Sequence, residues 1–142
     1  MIASPLLSRL AALLITCWAG SLWTICGLVA PTLFEVLDDR QSAGQLAGRF
    51  FHIETWIGVI IGGSLLGLNM AGRLALPGRA LVWLAAGLPL ASHLALGPLM
   101  DQARFSGDTT RFGLLHAAAS ASFLAACIAL LILVWKFNRP AE

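Results

Sequence analysis

The sequence predicts an all-α integral membrane protein, a four-helix bundle with a short interfacial helix leading into the second span. Of the 142 residues, 58% are hydrophobic and 11% are charged, whereas a soluble domain carries roughly 25% charged residues. The mean hydropathy is +0.84. Four uncharged stretches approach or exceed the ~20 residues that a helix needs to cross a bilayer. Runs of this length cannot be the short alternating strands of a closed barrel.

The predicted transmembrane domain takes in residues 1–142, with spans at residues 10–34, 52–72, 80–100 and 112–135. The first apolar run is well beyond the ~7–15 residues of a signal-peptide core, so we expect an uncleaved helix that also directs insertion. Pro31 is expected to end or kink this helix, because proline lacks an amide hydrogen. Residues 101–111 are predicted to form a polar connection between the third and fourth spans.

The short interfacial helix is predicted at residues 43–51. Polar residues recur there every three or four positions and give one polar face, formed by Gln41, Gln45, Arg49 and His52. Two pairs of small residues follow in the second span, Gly58 with Gly62 and Gly63 with Gly67. Such pairs let helices approach closely. They are suited to packing within the bundle and to contacts in a homo- or hetero-oligomer.

The distribution of charge bears on orientation and partners. Four spans place both termini on one side of the membrane, and that side holds five of the nine Lys and Arg residues. This small excess favours cytoplasmic termini under the positive-inside rule. The net charge of +2 is too small to indicate a nucleic-acid partner. The lipid bilayer is the partner that the composition predicts.

The candidate site consists of His52, Glu54, His93 and His116, with Arg49 as the charge partner of Glu54. His93 lies seven residues before the end of its span, about 10 Å deep, and His116 lies four residues into its own, about 6 Å deep. Three helices therefore bring three imidazoles and a carboxylate to similar depths in one half of the membrane. Inward-facing histidines and carboxylates are how helix bundles build metal and cofactor sites.

Three interpretations remain open at this point. His52, His93 and His116 bind haem, or together with Glu54 bind copper or zinc. Alternatively, Glu54 and His93 form a proton, ion or small-molecule transport site. In the third interpretation these side chains are structural, and the protein is an assembly partner of other membrane proteins. No nucleophile arrangement or phosphate-binding loop is present, which favours a non-enzymatic protein. The three cysteines are expected to be apolar packing residues.

Several sequence features together resemble a known family. They are Trp18, Gly20, Trp23, the Ala-Pro-Thr-Leu-Phe exit of residues 30–34, the Ala-Gly pairs at 43–44 and 47–48, Phe51 and the Leu-Leu-His of residues 114–116. This pattern resembles a bacterial membrane family of unknown function related to eukaryotic transmembrane protein 205. The resemblance implies a small four-span protein of the bacterial inner membrane. A looser similarity to four-helix copper-resistance and protoporphyrinogen-oxidase-type families, whose histidines hold haem or metal, favours the cofactor interpretation.

Overall fold

The computed structural model describes residues 4–138, and within that range the chain is helical without strands. The elements in chain order are α1 (Pro5–Thr24), a π-helical segment (Ile25–Val29), α2 (Ala30–Val36), α3 (Arg40–Met70), α4 (Arg79–Phe105) and α5 (Thr109–Phe137). The first three join into one helix, and this helix, α3, α4 and α5 are each long and apolar enough to cross a membrane. The predicted all-α four-span architecture is confirmed. Residues 1–3 and 139–142 of the predicted domain lie outside the described residues.

The first span changes from an α-helix to a π-helix just before Pro31. Pro31 has no amide hydrogen to donate to the carbonyl of Gly27, and the π-helical segment Ile25–Val29 lies directly before α2. Pro31 then occupies the first turn of α2, the part of a helix where proline is best tolerated. The span therefore continues to Val36 instead of ending at the proline.

The predicted interfacial helix and the second span form one continuous helix, α3. Its first turn is capped by Asp39, whose carboxylate accepts 3.0 Å hydrogen bonds from the amides of Gln41 and Ser42. A hydrogen bond from the Ser42 hydroxyl, together with these two amide bonds, holds the pKa of the Asp39 carboxyl below its ordinary range. Residues 40–70 contain no proline, so the polar face of α3 runs directly into its apolar length.

The predicted polar connection at residues 101–111 is wrong in extent. Because α4 continues to Phe105 and α5 begins at Thr109, only residues 106–108 connect these helices. Gly107 adopts a φ of 71° there, a conformation that favours glycine. Asp108 caps α5 by accepting a 2.9 Å hydrogen bond from the amide of Arg111. The polar residues that suggested a loop are exposed on the ends of two helices.

The two glycine pairs of α3 face different surroundings. Gly58 and Gly62 are buried, and a Cβ added at Gly58 would lie 3.1 Å from the indole of Trp18. At Gly62 an added Cβ would lie 2.9 Å from the Cβ of Ala86. Neither glycine of the second pair would meet any atom within 4 Å. The first pair therefore packs α3 inside the bundle, and the second faces outward.

Large buried side chains are concentrated in the half of the bundle nearer the chain termini. That core includes Ile15, Trp18, Leu22, Leu65, Val82, Leu130 and Leu133. In the opposite half, where the predicted histidines lie, the buried hydrophobic residues are the alanines Ala43, Ala47 and Ala103. Large apolar side chains thus pack the helices together in one half of the bundle, and the predicted histidines lie in the other half.

Candidate functional site

Two of the three predicted histidines come together, one from α3 and one from α4. Nδ1 of His52 lies 3.2 Å from Nε2 of His93, and the ring centroids are 4.7 Å apart. Each histidine is twelve residues, or ~18 Å, from the end of its helix on this side of the bundle. Antiparallel packing of α3 and α4 therefore brings them to the same level. His52 is exposed, His93 is half-buried, and Trp56 lies at the edge of the His52 ring.

The separation of the two nitrogens fits a single metal ion that has both as neighbouring ligands. Imidazole nitrogens bind Zn²⁺ at about 2.0–2.1 Å, so two ligands at a tetrahedral angle lie about 3.3 Å apart. Two axial imidazoles on opposite faces of a haem iron would lie about 4 Å apart, with the porphyrin between their rings. The 3.2 Å approach of His52 and His93 fits the ion and not a shared haem. Without an ion, one ring donates a hydrogen bond and the other accepts it.

His116 and Glu54 lie apart from this histidine pair. His116 is exposed and stacks on Phe112 of its own helix, with ring centroids 6.0 Å apart. Glu54 follows His52 by two positions, which is about 200° around a helix, so the two side chains lie on opposite sides of α3. Glu54 is buried, whereas His52 is exposed beside His93 of α4. Among residues 4–138, no three His, Cys, Asp or Glu side chains are arranged to hold a metal ion. The four residues predicted as one site are therefore divided into a pair and two separate side chains.

Glu54 is buried, with 2% of its surface exposed, and its carboxyl group is bonded to another helix. Oγ of Ser21 in α1 donates a 2.9 Å hydrogen bond to Oε1 of Glu54. Arg49, the predicted charge partner, is exposed and lies five positions earlier in α3, about 140° away around the helix. The contact that the structure gives Glu54 is therefore with Ser21.

A crevice beside Glu54 bears on the transport interpretation. Its lining includes Trp18, Thr55, Pro89 and Phe123, and its interior is too narrow for a water molecule. Transport through Glu54 requires a hydrated path to the carboxyl group. The packing around Glu54 supplies no such path in this conformation.

A second cluster, formed by two thiols, is not among the sites that the sequence predicts. Sγ of Cys127 in α5 lies 3.7 Å from Sγ of Cys26 in the π-helical segment, and both cysteines are free. The indole Nε1 of Trp23 donates a 3.3 Å hydrogen bond to the carbonyl of Cys127. The three cysteines were expected to be apolar packing residues, and no pairing between spans was predicted. Depth in the predicted spans does not identify the pair, because Cys26 lies eight residues before the end of its span whereas Cys127 lies fifteen residues after the start of its own.

These features define the class of protein, which is a multi-pass α-helical membrane protein. It has a histidine pair at one end of its bundle, and a thiol pair and a carboxyl group inside the bundle. Residues 13–109 match the family described as Domain of unknown function (DUF4149). The match covers more than half of the chain, so the protein belongs to this family. No curated protein and no solved structure matches the chain. The relation to transmembrane protein 205 stays a prediction.

The family segment contains most of the candidate residues. It runs from within α1 to the first residue of α5. His52, Glu54 and His93 lie inside this segment, whereas His116 and Cys127 lie beyond it. The histidine pair therefore belongs wholly to the matched part of the chain, and the thiol pair joins that part to α5.

Proposed function

We propose that this protein binds a transition metal ion, copper or zinc, through His52 and His93. The observation that supports the proposal is the 3.2 Å separation of Nδ1 and Nε2, which is the distance between neighbouring ligands of one ion. Neutral imidazole is a suitable ligand for both metals. Two protein ligands leave the remaining coordination positions to water or to an incoming ligand. Such an open site exchanges its ion, unlike a structural site that is closed by four protein ligands.

The surroundings of the pair support access from the aqueous phase. His52 is the last residue of the polar face of α3, after Gln41, Gln45 and Arg49, all of which are exposed. Trp56 follows one turn later, and tryptophan is enriched where the headgroup region meets the hydrocarbon. In this proposal the ion binds at that boundary, where His52 is reached from water and His93 is held within the bundle.

We also propose that the protein lies in a bacterial inner membrane with both termini in the cytoplasm, so that the histidine pair is on the outer side. Cysteine labelling with a membrane-impermeant maleimide in spheroplasts tests this orientation, starting from a variant that lacks the three native cysteines. Asp38→Cys, in the connection before α3, is expected to be labelled from outside. Ala75→Cys, in the connection after α3, is expected to be labelled only after lysis. The reverse pattern would invert the orientation.

Metal titration of the full chain tests the binding proposal. The protein is purified without a polyhistidine tag, reconstituted in nanodiscs and titrated with Zn²⁺ or Cu²⁺ by calorimetry. We expect one ion per chain and, for Cu²⁺, paramagnetic resonance with coupling to imidazole nitrogen. His52→Ala and His93→Ala are each expected to weaken binding by at least ~100-fold, because even partners outside the coordination sphere contribute 10–100-fold.

His116→Ala is the matched control. His116 is the same residue type on the same side of the bundle, but it stacks on Phe112 and lies outside the pair. This variant is expected to bind the ion as the unmodified protein does. The proposal fails if His116→Ala weakens binding as much as His52→Ala. It also fails if the unmodified protein binds no more ion than a variant that lacks both His52 and His93.

A further inference from the structure

We propose that Cys26 and Cys127 form a redox-active dithiol inside the membrane, which a lipid-soluble quinone oxidises to a disulfide. The proposal goes beyond metal binding and is independent of it, because the thiol pair and the histidine pair share no residue. It assigns the protein a two-electron oxidation of its own thiol pair, with the quinone as the oxidant.

The two sulfur atoms are already neighbours. They lie 3.7 Å apart, on helices separated by 101 residues of sequence. A disulfide bond is ~2.05 Å long, so each sulfur has to move by less than ~1 Å to form it. The bond would join the first span to α5.

Two local features hold the thiols opposite each other. Cys26 is the second residue of the π-helical segment, and π-helical turns are frequent at functional sites because they redirect side chains. Trp23, three residues before Cys26, donates its indole hydrogen to the carbonyl of Cys127 itself. This bond fixes the height of α5 against the first span at the level of the two sulfurs.

A carboxyl group is bonded to the span that carries Cys26. It belongs to Glu54, which accepts a 2.9 Å hydrogen bond from Ser21, five residues before Cys26. Thiol oxidation requires a proton acceptor, because the thiolate is the reactive form. In the proposed reaction Glu54 is the base, and it takes one of the two thiol protons as the S–S bond forms.

The burial of the two thiols determines the class of oxidant. Cys127 has no exposed surface, whereas Cys26 is half-buried next to the exposed Gly27 in an apolar span. A charged, water-soluble disulfide such as oxidised glutathione does not enter this region, because burying its charges is costly. A quinone dissolved in the lipid reaches Cys26 directly.

The reaction balances in atoms and electrons. Two S–H bonds break and one S–S bond forms between Cys26 and Cys127. The two electrons pass to the quinone ring, and the two protons finish on its two oxygens, one of them through Glu54. The products are one intramolecular disulfide and one hydroquinone.

Thiol counting and quinone reduction test the proposal together. The full chain carrying Cys17→Ala is reconstituted in quinone-free nanodiscs, reduced, and mixed with a fully ring-substituted benzoquinone bearing a decyl tail, which cannot arylate thiols. We expect free thiols to fall from two per chain to none as one equivalent of hydroquinone forms. Trypsin digestion of the product is expected to yield peptide 10–40 linked to peptide 112–136, with the chain monomeric on a non-reducing gel.

Three variants in the same background distinguish this reaction from nonspecific oxidation. Cys26→Ser and Cys127→Ser are each expected to retain their one thiol and produce no hydroquinone. Glu54→Gln is expected to reach the same end point at least ~10-fold more slowly, with a flattened pH profile, since it retains a hydrogen-bonding group and loses the base. If a serine variant does not fold, the linked peptides of the Cys17→Ala protein decide the result.

Two results would overturn the proposal. One is retention of both thiols under conditions in which dithiothreitol reduces the same quinone. The other is oxidation that gives only disulfides between chains. Neither result would affect the metal titration, so the two proposals fail separately.

Discussion

The hydroxyl of Ser21 donates a 2.9 Å hydrogen bond to the carboxyl group of Glu54 and so joins the first span to α3 inside the bundle. The carboxyl group is almost fully buried, where an unsatisfied polar atom costs more than the bond itself contributes. The hydrogen bond between Ser21 and Glu54 is therefore expected to stabilise the folded protein, whatever part Glu54 has in a reaction.

Ser21→Ala is expected to destabilise the protein by ~1–3 kcal/mol, because it leaves a buried carboxyl oxygen without its donor. The measurement is the free energy of unfolding in mixed detergent, followed by circular dichroism. Ser64→Ala is the matched control, since the exposed Ser64 hydroxyl bonds only to the carbonyl of Ile60 in its own helix. Equal effects of the two substitutions would contradict the proposed importance of the contact between spans.

The neighbouring glycines Gly62 and Gly63 are expected to respond oppositely to alanine. A methyl group at Gly62 would lie 2.9 Å from the Cβ of Ala86, so Gly62→Ala should cost ~1–3 kcal/mol through overpacking. Gly63→Ala meets open space and should be neutral or stabilise α3 by up to ~1 kcal/mol through helix propensity. Thermal unfolding of the two variants side by side checks this. Greater destabilisation by Gly63→Ala than by Gly62→Ala would show that α3 is rotated.

Asp39 is expected to stabilise the start of α3 in a pH-dependent way. Hydrogen bonds lower its pKa in the folded state, so its contribution is present above the ordinary aspartate pKa of about 3.9 and is lost as the pH falls through the lower folded value. The stability difference between the unmodified protein and Asp39→Ala should therefore be constant at neutral pH and shrink in strong acid. Asp38→Ala, one position earlier, is the control. A difference that grows as the pH falls would contradict the cap.

Metal binding by the histidine pair is expected to weaken on acidification. Protons compete with the ion for the imidazole nitrogens, so calorimetry should show an affinity loss of at least roughly tenfold between about pH 7.5 and about pH 5.5. His116→Ala should show the same dependence. A pH-independent affinity would indicate that the ligands are not imidazoles.

The fold was predictable from the sequence because hydropathy reports directly on membrane crossing. Helix ends were less predictable. The charged residues of 101–105 looked like a loop, yet charge does not end a helix that has left the hydrocarbon. Pro31 also did not end the first span, which continues through the π-helical segment into α2.

The candidate site was only partly predictable, for a geometric reason. Equal depth brought His52 and His93 together as expected, since both lie on the facing sides of α3 and α4. The depth of a residue in the membrane does not tell which side of its helix the side chain occupies. His52 and Glu54 lie at similar depths but on opposite sides of α3, because two positions along a helix differ by about 200°. The contact between Cys26 and Cys127 depends on which spans are adjacent, and no local pattern in one sequence carries that information.

The three-residue connection between α4 and α5 has a consequence for how the protein is assembled. A connection this short makes the two helices fold as one hairpin, because their contacts are close in sequence. Each proposed site takes one residue from that hairpin and one from the first half of the chain, namely His93 with His52 and Cys127 with Cys26. Each site forms only when the helix that carries its second residue docks against the first half of the chain, so a chain that ends before α5 lacks the thiol pair.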